Sequence, residues 1–149
     1  MKKLLLTAAV AFSTLLASAQ FMVVTTYDND LEDNTDKITA NLGIGYMVND
    51  AFTVGLKRST AEAHEGHDHA DEDDTYDIWA RYNIAQVEGA YATLEMPTED
   101  GSDHMKIGLG FSFNVWNSLY IEPNYTMPTN ENENGDREGT FNFGLSYRF

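Results

Sequence analysis

Residues 141–149 read Phe141-Asn142-Phe143-Gly144-Leu145-Ser146-Tyr147-Arg148-Phe149. Phe141, Phe143, Leu145, Tyr147 and Phe149 fall on one phase, and Asn142, Gly144, Ser146 and Arg148 on the other. Unbroken alternation with a period of two predicts a strand with one apolar and one polar face. An apolar strand at a chain end is expected to fray in water. A closed barrel in a bilayer instead uses its last strand to seal against its first.

The opposite end agrees with export. Met1-Lys2-Lys3 is a short positive segment, and residues 4–16 are apolar apart from Thr7, Ser13 and Thr14. Ala17-Ser18-Ala19 supplies the small residues of a cleavage site. This pattern predicts a cleaved signal peptide over residues 1–19 and a barrel domain over residues 20–149. The apolar segment is shorter than the roughly 20 residues a spanning helix needs.

Composition narrows the function classes. The chain has no cysteine, which excludes disulfides and thiol nucleophiles. Its net charge is −15, falling to −17 without Lys2 and Lys3, so a nucleic acid partner is not expected. Twenty of the 24 acidic residues lie within 28–37, 60–75, 95–103 and 127–138. Those windows read as loops.

Eight strands are predicted between them: about 21–27, 38–47, from 52, 76–82, 86–94, 105–115, 119–125 and 141–149. Long acidic loops follow the first, third, fifth and seventh. Short turns follow the second, fourth and sixth. This long–short order is that of an up-and-down meander whose two rims face different compartments. The expected fold is all-β: an eight-stranded antiparallel up-and-down transmembrane β-barrel. A soluble lipocalin-like barrel has the same period with its faces reversed. Three features favour the bilayer. The polar face is rich in Gly, Ser, Thr and Asn. Its charges nearly balance, as confinement requires. Aromatic residues recur at strand ends, Tyr46, Phe52, Tyr82, Trp116 and Phe149 at one rim and Tyr27, Tyr76, Tyr125 and Phe141 at the other.

The segment Asn41-Leu42-Gly43-Ile44-Gly45-Tyr46-Met47-Val48-Asn49-Asp50-Ala51-Phe52-Thr53-Val54-Gly55-Leu56 and the terminal Leu145-x-Tyr147-x-Phe149 resemble the small outer-membrane β-barrel proteins of Gram-negative bacteria, the OmpA-, OmpX- and OmpW-like superfamily. The resemblance implies the outer membrane as location. It implies outer-membrane lipid and lipopolysaccharide as surroundings, and Leu145, Tyr147 and Phe149 as the signal read by the barrel-assembly machinery. It leaves activity open, because that superfamily has structural, adhesive, channel-forming and enzymatic members.

Lys57, Asp77, Arg81, Glu88, Lys106, Glu122 and Arg148 fall on predicted polar faces and are expected to form an interior charge network. Such a network plugs a narrow barrel; a porin-like passage for ions or small solutes is the alternative. The second loop carries His64, His67 and His69 interleaved with carboxylates, including Asp68. Imidazole plus carboxylate suits zinc, nickel or copper, and His104 is expected on the same rim. No cofactor is required by any motif; a divalent metal such as zinc is the candidate ligand. The acidic run 28–36 lacks the glycine and the twelfth-position glutamate of a calcium loop, with Asp33 and Thr39 at those places. No spacing of serine, histidine and acid suggests an enzyme. The expected role is structural or surface-interactive, with an extracellular ligand or surface as a further candidate partner.

Overall fold

The computed structural model describes residues 20–27, 33–59, 75–98, 104–131 and 135–149. The predicted signal peptide lies outside these residues. The strands are β1 (Phe21–Tyr27), β2 (Gly43–Met47), β3 (Phe52–Ser59), β4 (Thr75–Asn83), β5 (Ala90–Pro97), β6 (Lys106–Phe111), β7 (Phe113–Trp116), β8 (Leu119–Pro128) and β9 (Thr140–Arg148). One helical turn, α1 (Asp36–Thr39), follows β1.

All strand pairings are antiparallel and follow chain order from β1 to β6. The sheet closes because β9 pairs with β1, Tyr147 lying opposite Val23, and because β8 pairs with both β6 and β9. Segments β6 and β7 are two parts of one barrel strand. Gly110 lies opposite Asn124 and Phe113 opposite Ile121, a single register across the break at Ser112. The result is the expected eight-stranded antiparallel barrel. Segment β7 extends past the start of β5 and pairs with β8 alone.

Two predicted strands begin elsewhere. The stretch 38–47 becomes strand only from Gly43. The Asp33 carboxylate accepts the Thr35 N–H at 3.0 Å, and the Lys37 N–H reaches the Asp33 carbonyl at 3.0 Å. This local capping turns the chain into α1 before the sheet can claim it. The Thr25 hydroxyl, donating to the Ile38 carbonyl, fastens that turn to β1. The stretch 86–94 becomes strand only at Ala90. Residues 84–89 form a turn closed by the Ala90 carbonyl accepting the Ile84 N–H at 2.8 Å, and Gly89 takes φ +77°, a conformation suited to glycine. The next short connection, Asn117-Ser118, is a two-residue turn with Asn117 at φ +45°.

The two faces of the barrel are inverted relative to a water-soluble fold. Among the described residues, 27 large apolar side chains are exposed, while the buried hydrophobics are Met22, Ala40, Trp79, Ala90 and Tyr91. Leu109 is 63% exposed and Trp116 71%. All nine rim aromatics named above are exposed on the outer wall. Inside, Trp79 is 4% exposed and lies flat over a glycine floor. A methyl group on Gly45 would come within 2.6 Å of the Trp79 ring. Only glycine lets the indole approach the wall this closely.

Candidate functional site

The polar side chains converge inside the barrel in two tiers. The tier nearer the short turns is built on Glu122 of β8. Its Oε1 and Oε2 accept from Arg81 Nη1 at 2.8 and 2.9 Å. Oε1 also accepts from Ser112 Oγ at 2.9 Å, Ser146 Oγ at 2.8 Å and Arg148 Nη2 at 3.2 Å. Arg148 Nη2 donates in addition to Ser112 Oγ at 2.7 Å. Arg81 Nε donates to Asn83 Oδ1 at 3.0 Å. The two guanidinium planes are backed by aromatic rings: Arg81 lies 3.7 Å from the Tyr91 centroid and Arg148 3.8 Å from that of Tyr120. Such stacking holds a guanidinium edge-on to its acceptors.

Register explains the convergence. Glu122, Ser146 and Arg148 share the inward phase of neighbouring β8 and β9, since Glu122 pairs with Gly144 and Tyr120 with Ser146. Arg81 reaches Glu122 from β4, across the lumen. The bridge is almost dry, with Arg81 and Glu122 side chains 3% and 6% exposed.

The second tier lies toward the long loops. Lys57 Nζ meets Glu95 Oε2 at 2.9 Å. Asp77, which is buried, sits opposite Lys57 in the β3–β4 register, and Glu95 sits opposite Lys106. The facing wall is uncharged: Asn124 pairs with Asn142 and Thr126 with Thr140, and Asn142 Nδ2 donates to Thr126 Oγ1 at 3.1 Å.

Six of the seven residues expected in the charge network therefore belong to strands on their inward phase. Glu88 does not: it is exposed on the 84–89 turn. Glu95, which the composition placed in a loop, supplies the interior carboxylate of β5 instead. A window over 90–97 reveals it, because Tyr91, Thr93 and Glu95 alternate with Ala92, Leu94 and Met96. Arg58, on β3, lies opposite Tyr76 on the outward phase. Leu145 and Tyr147 on the outward phase of β9, and Phe149 just beyond its end, are all exposed.

The tiers partition the lumen. A cavity of about 560 Å³ opens on the long-loop side, with Lys57, Glu95, Lys106, Asn124 and Asn142 in its wall. Another of about 430 Å³ opens on the short-turn side, bounded by Arg81, Ser112, Asn114, Tyr120 and Arg148. Between them, where Trp79, Arg81, Tyr91 and Glu122 meet, only about 60 Å³ is free.

His64, His67, Asp68 and His69 lie outside the described residues. His104 is exposed just before β6. Among the described residues, no cluster of three or more histidine or acidic side chains is arranged to hold a metal ion.

Fold and site together define a small β-barrel with an apolar exterior and an ion-paired, nearly closed polar interior. No known protein family, curated protein or solved structure matches the chain.

Proposed function

We propose that this chain is a small outer-membrane barrel protein of a Gram-negative bacterium, with a structural or surface-interaction role. The observation that carries the reading is the inversion of the barrel: a continuous outer wall of apolar side chains around a core of paired charges. In water, that wall would leave an apolar patch far larger than the few hundred Å² that soluble monomers tolerate. In hydrocarbon the same wall is matched to its solvent, and barrel closure satisfies every backbone group. Its surroundings would be outer-membrane lipid and lipopolysaccharide, and its route there the barrel-assembly machinery. The exposed phase of β9 would be presented to that machinery.

The acidic loops would face outward and attract cations. Zinc held by His64, His67, Asp68 and His69, with His104 nearby, is the ligand their chemistry suits best. Membrane fractionation tests the location. The protein is expected to stay with outer membranes through alkaline carbonate and to show a heat-dependent shift in gel mobility. Release by carbonate would overturn the assignment.

The two opposed cavities favour a second reading, a narrow passage for ions closed by the Arg81–Glu122 bridge. Planar bilayer recordings separate the two. A plugged structural barrel gives no conductance in its resting state, and discrete single-channel openings establish the passage.

A further inference from the structure

One wall of the long-loop cavity is built by strand register. On β6, β8 and β9 the inward residues stand in ranks. Gly110, Asn124 and Asn142 form one rank, and Gly108, Thr126 and Thr140 the next. Adjacent strands lie about 4.8 Å apart, so two amides and two hydroxyls make a compact patch. Asn142 Nδ2 ties it together, donating to Thr126 Oγ1 at 3.1 Å and to Asn124 Oδ1 at 3.4 Å. All four side chains are short, lie on the inward phase of the sheet and line the cavity of about 560 Å³. That volume is within the roughly 300–1,000 Å³ of small-molecule sites.

The charges around this patch disfavour an ionic ligand. Lys57 and Glu95 neutralise each other at 2.9 Å. Lys106 and Glu138 add one charge of each sign to the lining. Asp77, buried opposite Lys57 in the register, brings the tier to two lysines against three carboxylates among the described residues. An anion would meet Glu95 and Glu138, and a cation would meet Lys57 and Lys106. An apolar ligand would strip water from the amides and hydroxyls without replacing its hydrogen bonds. A neutral molecule rich in hydroxyls avoids all three penalties. Each of its hydroxyls donates and accepts, as an asparagine amide does through its nitrogen and its oxygen.

We propose that the long-loop cavity binds a neutral sugar against the patch formed by Asn124, Thr126, Thr140 and Asn142. The Lys57–Glu95 pair faces that patch and offers the sugar one further donor and one further acceptor. The site goes beyond the membrane reading and does not depend on it, because the cavity belongs to the barrel whichever solvent surrounds it.

The test is a titration of the purified protein in micelles of a sugar-free detergent, lauryldimethylamine oxide, with D-glucose and, separately, D-galactose. Binding is followed by the side-chain ¹⁵N–¹H signals of Asn124 and Asn142. Saturable shifts with a Kd of about 1–50 mM are expected for at least one of the two sugars. Thr140→Val keeps the shape and loses the hydroxyl, and should weaken binding about threefold. Asn142→Leu, read at Asn124, should weaken it about tenfold. D-Glucuronate and D-glucosamine, which add a carboxylate or an ammonium group to the ring, should bind at least about threefold more weakly than the better neutral sugar. Glu88→Gln, on the exposed turn at the other rim, should leave the affinity unchanged. No saturable shift with either sugar up to about 200 mM overturns the proposal. So does a charged analogue that binds as tightly as the neutral sugar, an unchanged affinity in Thr140→Val, or a changed one in Glu88→Gln. Carbonate extraction of the protein from membranes would sink the outer-membrane assignment and leave this result standing.

Discussion

Replacing Glu122 by alanine probes the hub of the interior directly. The carboxylate accepts both contacts of Arg81 at 2.8 and 2.9 Å, and contacts from Ser112, Ser146 and Arg148 at 2.9, 2.8 and 3.2 Å. Its removal leaves Arg81, 3% exposed, without a counter-charge. Breaking a buried pair from one side costs about 3–5 kcal/mol, because the surviving ion keeps its desolvation penalty. Water entering from the short-turn cavity relieves Arg148 more than Arg81, so we expect a loss of about 4 kcal/mol. Replacing both partners, as Arg81→Met with Glu122→Leu, removes the stranded ion and should cost clearly less than Glu122→Ala alone. Urea unfolding in lipid vesicles, followed by tryptophan fluorescence, measures all three proteins. A Glu122→Ala loss below about 1 kcal/mol, the level of a solvated surface pair, would refute a dry, structural bridge. So would a double variant no more stable than the single one.

Other substitutions test the walls and loops. Gly45→Ala pushes a methyl group to within 2.6 Å of the Trp79 ring; it should destabilise by about 1–3 kcal/mol, and Trp79→Phe, which withdraws the clashing atoms, should recover part of the loss in the same unfolding assay. Leu109→Arg, at a side chain 63% exposed, should cost about 2–4 kcal/mol in vesicles if the outer wall faces lipid near the bilayer midplane. In water an exposed substitution of this kind is nearly neutral, within about 0.5 kcal/mol, so a neutral result in vesicles would count against a lipid-facing wall. Zinc titration by calorimetry should give micromolar binding of fixed stoichiometry that is lost when His64, His67 and His69 are all replaced by alanine. Binding that survives the triple replacement would remove the second loop from the metal proposal.

Most of the fold was legible because the sheet ties every residue to a face. Once Phe141 and Phe143 point out, Ser146 and Arg148 must point in, and the same rule orders β3, β4, β6 and β8. The failures occurred where local chemistry outcompetes the ladder. Asp33 caps a helical turn that consumes the expected start of β2. Gly89 closes a turn that consumes the start of β5. Glu88 and Glu95 depart from expectation for a related reason. They lie on opposite phases, and the buried Tyr91 makes the odd phase of β5 the inward one. Even an extended Glu88 would have pointed away from the lumen.

Partner choice within the interior was not legible, because it depends on register rather than on phase. Alternation makes Arg81, Glu122 and Arg148 inward-facing but says nothing about their depth. Arg81 and Glu122 are 41 residues apart in sequence and lie on strands that are not neighbours, so their meeting requires the accumulated offsets of every pairing around the barrel. The break at Ser112 participates in that geometry. Ser112 keeps the register of the strand: its N–H reaches the Gly89 carbonyl at 2.8 Å, and its hydroxyl, on the inward phase, meets Glu122 and Arg148. Ser112 therefore couples the 84–89 turn to the charge cluster that closes the lumen.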